Sequence, residues 1–174
     1  TPESYDCTTL YVGAMDNGRF ILGEDGRAVP FAGVDFLAVP PKTLCGTSTD
    51  IGMIYTEIIL KKENTILNNI IKAGQPTALK DLISYEEGSI ANVDLIHADN
   101  MKFVLMAFDA GTSLPPHRAP GNAILTALEG KAIIGYEGKD YELNAGESFR
   151  LDKNGLYGVT AQGRFKMSLL RVFE

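Results

Sequence analysis

Histidine and cysteine, the side chains that most often bind transition metals in proteins, are rare in this chain. Its 174 residues include two histidines, His97 and His117. His117 lies in GTSLPPHRAPGNAILTALEG (111–130), and a second glycine-bounded stretch, GESFRLDKNGLYG, begins at Gly146. A protein metal site takes three or four converging donors. The two histidines alone do not supply that number.

The two cysteines, Cys7 and Cys45, predict no metal site and no disulfide framework. They fit neither a Cys-x-x-Cys pair nor a zinc spacing. Small disulfide-stabilised domains carry cysteine at a higher density. We therefore expect two reduced thiols in a cytoplasmic protein, which agrees with the absence of a signal-peptide pattern in the opening TPESYDCTTL.

Composition excludes two classes of partner. The net charge is -6 and the sequence pI about 5.0, with no cluster of Lys or Arg. Nucleic acids and anionic membranes both attract a positive face, so we expect neither as a partner. No apolar run approaches the roughly 18 residues of a membrane span. A hydrophobic content of 45% is enough for a packed core.

The first sixty residues read as short strands joined by turns, as expected for an all-β chain with 18 Gly and 8 Pro. Asp16-Asn17-Gly18 predicts a hairpin between TLYVGAM (9–15) and RFILG (19–23), because Asn-Gly tolerates positive φ. Glu24-Asp25-Gly26 predicts a second turn. RAVPF (27–31), VDFLAV (34–39) and IGMIYTEIIL (51–60) complete this group of predicted strands.

Residues 63–83 differ in pattern. Ile66, Leu67, Ile70 and Ile71 have helical spacing and Gly74 ends the run, which is compatible with a short helix or with an irregular linker. TALKDLI (77–83) predicts one more helical turn. We place a domain boundary here, with residues 1–75 as an N-terminal β segment and linker and residues 76–174 as a barrel.

Strands recur about every ten residues from Ser89 onward, a rhythm typical of a sandwich or barrel. Eight short antiparallel strands with glycine-marked corners favour a jelly roll, which stacks two sheets. The predicted strands are 90–96, 103–108, 123–128, 131–137, 140–144, 147–151, 156–161 and 164–173.

The two glycine-bounded stretches resemble the two sequence motifs of the cupin superfamily (RmlC-like jelly rolls). Gly111, five residues and His117 match the start of the first motif, and Glu129-Gly130 its end. Arg118-Ala119 stand where the family has a second histidine, and Asn122-Ala123 lie near the position of its glutamate. In the second motif Gly146 matches, but Asp152 replaces proline and Tyr157 replaces the last histidine.

The resemblance implies a cupin barrel whose metal site is degenerate, since one of the family's four usual ligands remains. His117 is the one ligand that a divalent metal such as Fe, Mn, Ni or Zn would retain. FDAGTSLPPHRAPGNAILTALEGKAIIGYEGKDYELNAGESFRL (108–151) is most similar to small single-domain cupins, for which the fold is implied and the chemistry is not.

The N-terminal segment resembles part of a second cupin half. AGVDFLAVPPKTLCG (32–46) is similar to a second motif, with Gly33, Pro40 and Cys45 near the position of the closing histidine. On this interpretation residues 8–60 are a remnant of another barrel. The alternative is an unrelated β extension.

Three functions follow as hypotheses. The first is a cupin that binds a small organic ligand without a metal or with a weakly held one, using His117, Tyr157, Arg118 and Asn122 as polar contacts. The second is a metal-dependent cupin enzyme, of dioxygenase, isomerase or decarboxylase type, that uses His117. The third is a structural or assembly module without a working pocket. We also expect a homodimer, because cupins pair through their sheets and the N-terminal strands present edges.

Overall fold

The computed structural model describes residues 2–33, 35–60 and 64–173. It divides into two units, one comprising Thr1–Thr65 and Asn69–Leu79, the other Ile66–Asn68 and Lys80–Glu174. Among the described residues no helix is both long and apolar enough to cross a membrane. The boundary expected near residue 75 stays a prediction.

The first unit contains two small antiparallel sheets. One has the strand order β6-β1-β4-β8 and the other the order β3-β2-β5. Its strands are β1 (Thr9–Met15), β2 (Gly18–Leu22), β3 (Arg27–Phe31), β4 (Asp35–Val39), β5 (Cys45–Ser48), β6 (Ile54–Ile59) and β8 (Thr77–Ala78).

The predicted hairpin at Asp16-Asn17 is wrong in its pairing. Asp16 does adopt a positive φ of 59°, but β1 and β2 lie in different sheets. A turn signal fixes a local change of direction and leaves the choice of partner strand to packing. The turn at Glu24-Asp25-Gly26 does close a hairpin, since β2 pairs with β3 on either side of it.

An aromatic cluster forms the core of the first unit. Tyr11, Phe20, Phe31 and Tyr55 pack with ring centroids 4.6 to 5.5 Å apart. Cys45 is buried in the same cluster. Alternation in β2 places Phe20 and Leu22 in this core, and Tyr55 of β6 packs against it.

The second unit is a jelly-roll barrel of two antiparallel sheets. The larger sheet has the order β15-β12-β17-β10-β9-β7 and the smaller the order β11-β16-β13-β14. Its strands are β7 (Ile66–Leu67), β9 (Ile90–Ala98), β10 (Met101–Phe108), β11 (Ser113–Arg118), β12 (Asn122–Glu129), β13 (Lys131–Tyr136), β14 (Lys139–Asn144), β15 (Ser148–Leu151), β16 (Leu156–Ala161) and β17 (Phe165–Val172).

The barrel interior is packed with apolar side chains from both sheets. β10 is buried on both faces, and Val104, Met106 and Phe108 are the members of the strand that face the interior. Across the larger sheet they meet Phe165, Met167 and Leu169 of β17 in register. Tyr157, Val159 and Ala161 of β16 close the core from the smaller sheet.

The all-β jelly roll confirms the predicted fold class. All eight strands predicted after Ser89 are present with shifts of one or two residues at their ends. Four strands were not predicted, namely β5, β7, β8 and β11. Gly46 in CGTS and the two prolines of SLPPHR hide the pattern in β5 and β11, and β7 and β8 have two residues each. Between residues 64 and 74 the chain forms β7 rather than the helix that the spacing allows, and Leu79–Leu82 forms a 3-10 turn. Val34, the first residue of one predicted strand, lies outside the described residues.

Candidate functional site at the mouth of the barrel

Two paired strands bring His117 and Tyr157 together at one end of the barrel. Leu114 lies opposite Val159 and His117 opposite Tyr157, so three residue steps on β11 match two on β16. This β-bulge falls at Pro115-Pro116, which have no backbone N–H to give to the ladder. As a result Leu114 and His117 both face the interior, where Val159 and Tyr157 are buried.

The His117 imidazole packs against the Tyr157 phenol, with ring centroids 4.4 Å apart and ring planes at 52°. Its Nδ1 lies 2.9 Å from the carbonyl oxygen of Pro115. A carbonyl only accepts hydrogen bonds, so Nδ1 carries the proton and Nε2 of the neutral ring keeps an acceptor lone pair. Nε2 is therefore the nitrogen that can accept a hydrogen bond from a ligand.

Tyr157 is 1% exposed and lies in the barrel core. Burial raises the pKa of its hydroxyl, and the positive charge of Arg171 and a hydrogen bond from that guanidinium offset part of the rise. The phenol is consequently neutral at pH 7. It therefore has its own proton to donate.

Arg171 is the functional residue that our reading of the sequence missed. On β17 the side chains of Phe165, Met167 and Leu169 face the barrel interior, and the period of two places Arg171 on the same face. It is half-buried at the end of the strand. The signal was present in RFKMSLLRVF, whose inward positions run apolar until Arg171.

Basic side chains form a row across the larger sheet at this end. Lys102 lies opposite Arg171 on one side and opposite His97 on the other. Residues directly opposite each other share a face of the sheet, so all three face the same way. Lys102 also forms a 2.9 Å ion pair with Asp94.

Arg118 and Asn122 lie on the rim and bond the turn at residues 152–155. The Arg118 guanidinium donates to the carbonyl of Asn154 at 2.7 Å, and Asn122 Oδ1 accepts from the amide of Lys153 at 3.0 Å. Two backbone bonds between Ala119 and residues 154–155 add to the contact. The structure thus brings His117 and Tyr157 together and engages Arg118 and Asn122 in loop contacts beside them.

The residues present do not fit a divalent metal. His117 supplies one imidazole nitrogen as a donor, and the phenol of the neighbouring Tyr157 is neutral. Arg171 adds a positive charge that would repel a cation. Within the described parts of the chain no group of three or more His, Cys, Asp or Glu side chains is placed to hold a metal ion.

The first unit holds a separate polar cluster around Cys45. The hydroxyl of the buried Tyr11 bonds Cys45 and Glu57, and burial raises the pKa of Tyr11 and of the Cys45 thiol. A raised thiol pKa lowers the fraction of reactive thiolate. Cys7 and Cys45 are both free, as expected for reduced thiols.

Comparison with known proteins identifies the barrel. Residues 104–173 match the sequence model of the cupin domain. This part of the chain is a cupin domain. No curated protein sequence matches it.

Solved cupin structures share the fold. A cupin 2 conserved barrel domain protein from Leptotrichia buccalis superposes with a TM-score of 0.79 at 25% identity, over 98% of this chain and 76% of that one. A cupin superfamily protein from Desulfitobacterium hafniense gives 0.59 at 22% identity, over 63% of this chain and 99% of that one.

A third cupin fold of similar shape belongs to an enzyme. Salicylate 1,2-dioxygenase from Pseudaminobacter salicylatoxidans superposes with a TM-score of 0.66 at 12% identity, over 99% of this chain and 67% of that one. At that identity the likeness shows the fold alone. The likeness to the Leptotrichia protein spans both units, and whether residues 8–60 are a remnant of a second cupin half stays a prediction.

Proposed function

We propose that this cupin binds a small organic ligand at the mouth of its barrel, in contact with His117 and Tyr157 and without a resident metal. The observation that carries the proposal is the inward-facing ring pair, 4.4 Å apart, above a core of apolar side chains. Ligand sites typically combine such apolar walls with a few convergent polar groups.

The pair offers both hydrogen-bond polarities. Nε2 of His117 accepts, because Nδ1 is engaged with Pro115. The Tyr157 hydroxyl donates, because it stays protonated in the core. A ligand that carries a hydroxyl or carbonyl group beside an apolar body would satisfy both.

In this proposal Arg118 and Asn122 act indirectly, by holding a loop at the rim of the barrel. Each already bonds the turn at 152–155, so each holds that loop beside the opening. Direct contact with a ligand would require the loss of those bonds. We therefore assign the direct polar contacts to His117, Tyr157 and Arg171.

The metal-dependent enzyme is the alternative that the fold family raises. The donor set around His117 argues against it, since the neighbouring Tyr157 is neutral and Arg171 is cationic. Elemental analysis of protein purified without a metal-binding tag tests this first. Fe, Mn, Ni or Zn at one equivalent per chain would overturn the proposal, whereas substoichiometric metal before and after soaking would support it.

Ligand binding is tested by thermal unfolding against a panel of small organic molecules. We expect members of the panel to raise the unfolding midpoint. A ligand present at a concentration a hundredfold above its Kd adds about 2.7 kcal/mol to the free energy of unfolding. His117→Ala should abolish the increase. His117→Phe is the matched control for shape, because it keeps a ring against Tyr157 and loses both nitrogens. A wild-type protein that no compound stabilises would favour a structural module instead.

A further inference from the structure

Arg171 and Lys102 are the cations that face inward from β17 and β10, and Arg171 is the one of the two without a carboxylate partner. None of the ion pairs formed among residues 2–33, 35–60 and 64–173 includes it. The Tyr157 hydroxyl, on which its charge acts, is neutral. A carboxylate is the group that would balance a half-buried guanidinium of this kind.

The positive charge of Lys102, on the neighbouring strand, further destabilises the Arg171 guanidinium. Lys102 lies directly opposite Arg171, and like charges in that position repel. Asp94 balances Lys102 at 2.9 Å. Arg171, whose charge acts on the Tyr157 hydroxyl, has no such carboxylate partner among the described residues.

The residue opposite Arg171 on the other neighbouring strand is small. Ala123 of β12 pairs with Arg171 and is part of the barrel core. Deeper in the barrel Leu125, Leu169 and Val159 are fully buried and packed. A ligand would therefore bind at the mouth, beside Arg171, and not in the packed core.

We propose that the ligand of this site is a small organic monocarboxylate, whose carboxylate is held by the Arg171 guanidinium beside Lys102. This inference rests on the proposed function, because it names the ligand class of the same site. The planar guanidinium matches a carboxylate with two parallel hydrogen bonds. The apolar body of the ligand then lies against the rings of His117 and Tyr157.

A matched set of compounds tests the proposal on the full-length protein. The probes are butyrate and benzoate, their neutral amides butyramide and benzamide, and inorganic phosphate, each titrated at constant ionic strength with binding followed by calorimetry. We expect at least one carboxylate to bind roughly tenfold or more tightly than its amide, as for the loss of a charge-assisted hydrogen bond. Phosphate should bind more weakly than that carboxylate.

Three substitutions locate the binding. Arg171→Gln should weaken the carboxylate roughly tenfold to a hundredfold, and Lys102→Gln should weaken it by a smaller factor. Arg171→Lys keeps the charge and loses the fork, so intermediate binding is expected, and this variant carries the test if Arg171→Gln does not fold. Arg150→Gln is the control, since Arg150 is exposed and pairs with Asp152.

The outcomes separate this inference from the proposed function. Amides that bind as well as the acids, with a dependence on His117, would overturn the carboxylate and leave the ligand-binding cupin intact. The same holds if phosphate binds as tightly as the carboxylates, or if Arg171→Gln leaves carboxylate binding unchanged. If no compound of this set or of the broader panel binds, both proposals fail.

Discussion

Gly130, at the end of the first motif, is required by the backbone of the barrel and not by the chemistry of the site. It follows β12 with φ +72°, a left-handed conformation that glycine adopts without strain. A Cβ at this position would also collide with the carbonyl oxygen of Arg164. Two separate constraints, backbone conformation and close approach, therefore fix glycine here.

Gly130→Ala should destabilise the protein by about 2–4 kcal/mol, from left-handed strain and from the collision with backbone. Gly138→Ala is the matched control, since Gly138 has φ +77° with nothing within 4 Å of an added Cβ. It should cost about 1 kcal/mol from strain alone. Urea unfolding measures both, and equal losses in the two variants would refute a role for the collision.

At the scale of elements, the segment before β9 is held against the barrel by charged groups at its edge. Asp109 accepts from the amide of Gly88 at 2.8 Å and from Arg164 at 2.9 Å. Tyr85 lies beneath the cations of Arg164 and Lys166, 5.0 and 4.8 Å from its ring centre. Its hydroxyl donates to Glu129 at 2.7 Å.

These contacts predict an acid-sensitive attachment. The bonds from Gly88 and Arg164 hold the pKa of Asp109 below its ordinary value. A lowered pKa in the folded state contributes stability above the unfolded value of about 3.9, and this is lost as the pH falls toward the folded value.

Asp109→Asn should therefore lower stability at pH 7, and the difference from wild type should shrink as the pH falls below about 4. Urea midpoints measured between pH 7 and pH 3 check this. Asp140→Asn, at an exposed position of β14, is the control and should follow the wild-type curve. A deficit for Asp109→Asn that stays constant with pH would argue that its carboxylate is not the group involved.

At the scale of the whole molecule, the open question of most consequence is assembly. β6 is an edge strand of its sheet, and Ile54 and Ile59 on it are 57% and 45% exposed. Apolar side chains on an unpaired edge favour pairing with another strand. We therefore propose that the homodimer expected from the sequence forms through this edge.

Light scattering at micromolar concentration should give about twice the chain mass of 18.8 kDa. The double substitution of Ile54 and Ile59 by lysine should shift the protein toward the monomer, because edge lysines oppose strand pairing. Substitution of Ile51, an exposed isoleucine outside β6, by lysine is the control. A monomeric wild type, or a double variant that remains dimeric, would show that this edge does not form the contact.

Much of the fold was readable because β structure leaves a local signature. Alternation in LYGVTA and RFKMSLLRVF, with glycines at the corners, predicted strands that the structure contains. β11 was missed because its two prolines hide the alternation, although they are also what shapes the bulge that aims His117. The resemblance to the two cupin motifs selected His117 and Tyr157 as site residues, and the structure shows that their rings are in contact.

The sequence by itself determined the all-β jelly roll, because alternation and turn glycines are local signals, and the resemblance to the cupin motifs selected His117 and Tyr157 as site residues. Only the tertiary structure decided that these two rings pack together and which cation lies beside them. Arg171 lies opposite Lys102 through the register of β10 and β17, strands that are distant in the chain, and local patterns do not encode such a register. The same dependence on long-range packing placed β1 and β2 in separate sheets and engaged Arg118 and Asn122 in the rim.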